Sequence, residues 1–199
     1  MNLIGISSEL LLSSLSLLIL SLSVFMSNKN AIRFSNRFAS LGILICIPIV
    51  YFTNNSTGSI FLNSYIYDYL SQYSKILILL GTFFTLIISF KSLKSEGIDF
   101  PEFPVLIIFS VIGMLLMTSS NDLITMYMSI ELQSLPLYIL AALKRDNLRS
   151  TEAGLKYFIL GALSSGILLY GMSLLYGSVG STLFNDISQS LYDEVSLTS

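Results

Sequence analysis

The stretch "MYMSIELQSLPLYIL", residues 126–140, is apolar except for a few hydroxyl and amide groups and one carboxylate, Glu131. An acid at the centre of a bilayer costs about 3 kcal/mol unless it is protonated, paired or hydrated. Residues 122–143 read as one membrane-spanning helix whose midpoint falls between Leu132 and Gln133. Helical rise then puts Glu131 within about 3 Å of that midpoint. Tyr127, Met128, Ser134, Leu135 and Tyr138 share its face at helical spacing. Pro136 has no N–H to donate to the carbonyl of Leu132, so a free acceptor opens beside the acid. Two phenols, a hydroxyl and a freed carbonyl are the start of a hydrated strip suited to a proton or water path. The alternative is an ion pair that only locks helices together.

The rest of the chain fits this setting. It is 53% hydrophobic and 11% charged, whereas soluble domains carry about 25% charged residues. The fold class is therefore an all-α membrane protein with about six transmembrane helices, at 2–26, 38–52, 75–90, 103–118, 122–143 and 153–176. Spans two to four, at about 15 residues or some 23 Å each, need flanking residues or bilayer thinning to cross. The first run lacks a basic leader segment and a clear cleavage site, and reads as a retained span.

Basic residues set an orientation. Lys29, Arg33 and Arg37 follow span one, Lys91 and Lys94 follow span three, and Lys144, Arg145 and Arg149 follow span five. These alternate connections share one side, the cytoplasm or its mitochondrial equivalent. The opposite side receives residues 53–74, the Ser119, Ser120, Asn121 turn and the segment after Tyr176; of the basic residues, only Lys75 falls near it. Both termini are expected on that outer side. Tyr65, Tyr67, Tyr69 and Tyr73 resemble an interfacial aromatic belt, with 56–74 lying along the surface. Pro104 suits a first helical turn. Ser120, Asn121 or Asp122 suits the start of span five, and Ser150, Thr151 and Glu152 the start of span six.

Several chemistries have no home here. There is one Cys, Cys46, and no His, which excludes a disulfide framework and a zinc or haem site built by this chain alone. No glycine-rich phosphate loop follows a strand. No cofactor, metal or nucleic acid is expected on this chain. Lys156, about one turn into span six, either snorkels to the interface or points inward to a carboxylate or water chain. Glu9 reads as an interfacial acid or a partner for a neighbouring subunit. Gly161, Ala162, Ser164, Ser165 and Gly166 offer the small-xxx-small pairs Gly161/Ser165 and Ala162/Gly166 for close helix packing.

The run "ELQSLPLYILAALKRDNLRSTEAGLKYFILGALSSGILLYGMSLLYG", residues 131–177, resembles subunit 2 of the proton-pumping NADH:ubiquinone oxidoreductase (respiratory complex I), called subunit N in the bacterial enzyme. Weaker resemblance reaches back through "GMLLMTSSNDLITMY" and thinly to the N-terminus, where the acid of a Pro-Glu-Ile-like start survives as Glu9. The resemblance implies the N-terminal part of an antiporter-like subunit. It also implies that Glu131 pairs with a lysine on a later, broken helix and that Lys156 joins a hydrophilic axis, both serving proton translocation. Cofactors, in such an enzyme, belong to other subunits.

On this reading residues 1–103 form a three-helix transmembrane region, 104–177 begin the first antiporter-like repeat, and 178–199 are a polar tail. The family's second repeat and broken-helix lysine lie outside this sequence, so a second chain completing a split subunit is expected beside other membrane-arm subunits and membrane lipids. A structural or assembly subunit and a cation/proton antiporter component are the alternatives. The residue usage, without Trp and rich in Ser, Asn, Leu and Ile, points to a mitochondrial inner membrane, with a bacterial inner membrane as alternative.

Overall fold

The computed structural model describes residues 3–53, 57–95, 100–144 and 146–198. After a 3-10 turn at Leu3–Ile6 come α1 (Ser7–Val24), α2 (Asn28–Thr53), the strands β1 (Gly58–Ile60) and β2 (Tyr65–Tyr67), α3 (Tyr69–Ser95), α4 (Phe103–Thr118), α5 (Leu123–Ala141), α6 (Leu148–Val179) and α7 (Phe184–Thr198). Among the described residues, five helices are long and apolar enough to cross a membrane, and α4, with 16 residues, is a shorter apolar helix. The chain is an all-α membrane protein with one small hairpin.

Serine-rich α1 remains compatible with hydrocarbon because its hydroxyls turn back on the helix. Ser13, Ser16 and Ser23 each donate to the carbonyl three residues earlier, at 2.7–2.9 Å. Spans two and three are longer than expected, at 26 and 27 residues. Their polar ends, such as 30–37 and 91–95, continue the helix beyond the apolar core that hydropathy marks. Bilayer thinning is therefore not needed for them.

The core lies among the first four helices. Leu12 and Ile19 of α1 meet Ile43, Cys46 and Val50 of α2, Leu79 and Leu86 of α3, and Val105, Ile108, Val111 and Leu115 of α4, all buried. Spacings of three, four and seven keep these residues on one face of each helix. Helix α4 sits in the middle, touching α1, α2, α3 and α5. One core therefore includes buried residues on both sides of residue 103. At Gly113 the α4 and α5 backbones meet so closely that a Cβ would lie 2.5 Å from the Gln133 amide nitrogen.

Helix α6 packs on α5 through a stripe of close approaches. An added Cβ at Gly154 would meet that of Ala142 at 2.5 Å, and Gly161 lies beneath the Tyr138 ring. Tyr138 stacks edge-on against Tyr157 at 4.7 Å between centroids. The Gly161/Ser165 pair therefore faces α5, whereas Gly166 meets open space. The cap of α6 is Asn147, whose side chain accepts from the Arg149 amide; Ser150 instead donates to the carbonyl of Ala141 at 2.9 Å. Gly180 closes α6 in the left-handed conformation, φ 77°, donating to the Tyr176 carbonyl.

The three segments expected on the outer side come together at one end. Ile66 N–H donates to Ser119, Asn121 N–H to Ser64, Leu123 N–H to Thr182 and Phe184 N–H to Asn121, at 2.8–3.1 Å. The polar tail expected at 178–199 holds a helix, α7, with Ile187 buried against Leu123 and Met172. Its polarity hid an amphipathic pattern that needs only one apolar stripe to dock.

Candidate functional site

Helix α5 begins at Asp122, whose carboxylate accepts from the Thr125 amide. The midpoint of Leu123–Ala141 is Leu132, so Glu131 stands about 1.5 Å from mid-helix. Ser165, near the middle of α6, donates its hydroxyl to Glu131 Oε1. The Tyr127 hydroxyl lies 2.9 Å from the same Ser165 oxygen. Tyr127, Ser165 and Glu131 form a continuous hydrogen-bonded row across the two helices, each partly buried. Among the described residues, no cationic side chain lies within ion-pair distance of Glu131.

The expected strip is narrower than residue spacing indicated. Ser134 bonds the backbone carbonyl of Glu131 at 3.2 Å, not its carboxyl group. Tyr138 packs on aromatic rings of α6. Of the two phenols, Tyr127 is the one in the row. Ser165 was foreseen as a packing residue; its role as partner of the acid depends on a contact across 34 residues.

Lys156 is not brought to Glu131. Its Nζ pairs with Glu152 Oε1 at 2.6 Å, with both side chains well exposed. Nine residues separate it from Ser165, which is half a turn plus two full turns, so the two side chains lie on opposite faces of α6, about 13 Å apart along its axis. The Lys156 side chain lies on an open face of α6, with its acidic neighbour Glu152 one turn away.

A second ionisable cluster sits at the hairpin end. Glu9, expected at an interface, is buried inside the chain, with its Oε1 2.8 Å from Lys75 Nζ and side-chain exposures of 4% and 1%. Tyr65 of β2 donates to Glu9 Oε1 at 2.8 Å and accepts from Lys75 at 2.6 Å. Ser8 donates to Glu9 Oε2 at 2.6 Å. Burial, and then the negative charge of Glu9, push the Tyr65 phenol pKa up. Lys75 is thus no loop charge, which removes the apparent exception to the basic-side pattern. The cluster ties α1, α3 and the hairpin together through buried side chains.

Comparison with known proteins gives one direction. The family model described as "NADH:quinone oxidoreductase/Mrp antiporter, TM" matches residues 120–198. NADH-quinone oxidoreductase subunit N of Rhodospirillum rubrum is 46% identical over 183 residues, covering 91% of this chain and 37% of that protein. Subunit N of Pelagibacter ubique is 46% identical over 188 residues, covering 94% and 39%. A chain of respiratory complex I from Thermus thermophilus superposes with a TM-score of 0.71 at 29% identity, over 88% of this chain and 38% of that one. An archaeal membrane-bound sulfane sulfur reductase chain shares the fold, with a TM-score of 0.73 at 18% identity. The chain spans well under half the length of these relatives. The chain is thus similar to NADH-quinone oxidoreductase subunit N over 91–94% of its own length.

Proposed function

We propose that this chain is a non-redox part of the membrane arm of a proton-translocating NADH:quinone oxidoreductase and supplies Glu131 to a proton path. The observation that carries this reading is the Glu131–Ser165 contact at mid-depth between two apolar helices. A carboxyl group kept there with hydroxyl partners has acceptors and donors for a proton. Similarity to subunit N supplies the enzyme class.

The cation that pairs with Glu131 lies, on this reading, outside residues 1–199. Lys156 acts at a separate point of the same axis, on the opposite face of α6. Other membrane-arm subunits cover the exposed faces of α6, and anionic lipids meet the basic ends. The Ser-, Asn- and Ile-rich, Trp-free composition favours the mitochondrial inner membrane, although the relatives named above are bacterial. A structural role in the arm is the second reading, favoured by the buried Glu9–Lys75 pair.

The Glu131→Gln variant separates the two. Assembly of the complex and proton pumping are measured independently. Normal assembly with reduced pumping supports translocation; normal assembly with unchanged pumping supports the structural reading.

A further inference from the structure

The row of oxygens at Glu131 has a direction. With Glu131 as the carboxylate, the single hydroxyl proton of Ser165 is donated to its Oε1. The 2.9 Å contact with Tyr127 is then made by the phenol donating to Ser165. The order is Tyr127 O–H to Ser165 O–H to carboxylate. Serines on apolar helices usually satisfy themselves on their own backbone, as Ser173 and Ser178 of α6 do at 2.7 and 2.9 Å. Ser165 gives up that bond and reaches another helix instead. Tyr127 stands one turn before Glu131, toward the end where the hairpin, the Asn121 turn and Thr182 are joined.

We propose that Ser165 and Tyr127 are a two-hydroxyl relay for the Glu131 proton, connecting the carboxyl group to the hairpin end of the bundle. The inference rests on the function proposed above for Glu131. In one direction, protonated Glu131 gives its proton to Ser165 Oγ as Ser165 gives its own to Tyr127 Oη. Tyr127 in turn releases its phenolic proton to a water molecule at its hydroxyl. Three O–H bonds break and three form, and one proton has moved by one helical turn. The hydroxyls end reversed and rotate back before the next transfer. Uptake runs the same steps backwards. No oxidant or reductant takes part.

The test uses the assembled enzyme in proteoliposomes, with NADH oxidation as driver and dye-reported acidification as readout. Ser165→Ala and Tyr127→Phe keep size and packing but break the row, and Ser165→Thr keeps the hydroxyl. The relay predicts that Ser165→Ala and Tyr127→Phe each lose pumping to the level of Glu131→Gln while NADH oxidation continues, and that Ser165→Thr recovers it. A merely structural contact would not separate Ala from Thr in this way. Should Ser165→Ala fail to assemble, Tyr127→Phe alone decides. Full pumping in Tyr127→Phe beside loss in Glu131→Gln overturns the relay and leaves the role of Glu131 standing. Full pumping in Glu131→Gln overturns both.

Discussion

Lys75 Nζ and Glu9 Oε1 stand 2.8 Å apart in a site almost closed to solvent, bridged by the phenol of Tyr65. A buried pair of this kind adds little net stability over apolar residues, but stranding one member costs about 3–5 kcal/mol. Lys75→Met or Glu9→Leu alone should therefore lower the unfolding midpoint strongly in detergent. The double variant should recover most of the loss. Equal losses in single and double variants would show that the pair is not coupled.

Gly113 and Gly81 give a packing contrast. A Cβ at Gly113 would press on the backbone of Gln133 and on the Ser129 carbonyl oxygen, at 2.5 and 2.8 Å, while one at Gly81 meets nothing within 4 Å. Gly113→Ala should destabilise by about 1–3 kcal/mol. Gly81→Ala should be neutral or stabilise by up to about 1 kcal/mol, because alanine is the better helix former. Thermal unfolding of the two variants side by side checks the sign.

The apolar runs, the basic connections and the acid at mid-span were legible in the sequence because each depends on residues close together along the chain. Asp122 was legible as a cap for the same reason. The Glu9–Lys75 pair joins residues 66 positions apart, and Ser165 reaches back 34; spacing along one helix carries no trace of either. Strands of three residues within a Ser-, Asn- and Tyr-rich segment are too short to show alternation, so the hairpin was read only as surface chain. Lys156 was read without its face, because the orientation of α6 is set by Gly154, Gly161 and Ser165 meeting α5 and the residue after it.

Asp122 holds the first turn of the helix that carries Glu131. Asp122→Ala should cost about 1 kcal/mol, and Asp122→Asn much less, since asparagine caps as well. Unfolding in detergent at fixed lipid content distinguishes the two.

The Lys156–Glu152 pair is exposed and spaced i,i+4 on α6, so it should contribute no more than about 0.5 kcal/mol. Lys156→Met should leave the unfolding midpoint nearly unchanged and reduce pumping in the assembled enzyme. Unchanged pumping would remove Lys156 from the proton path without touching Glu131.

The central claim is that Glu131 carries protons. Its most direct measurement is the number of protons pumped per NADH oxidised by a fully assembled enzyme bearing Glu131→Gln. The account predicts a lower ratio than in the unaltered enzyme at an unchanged level of assembly. An unchanged ratio would contradict it.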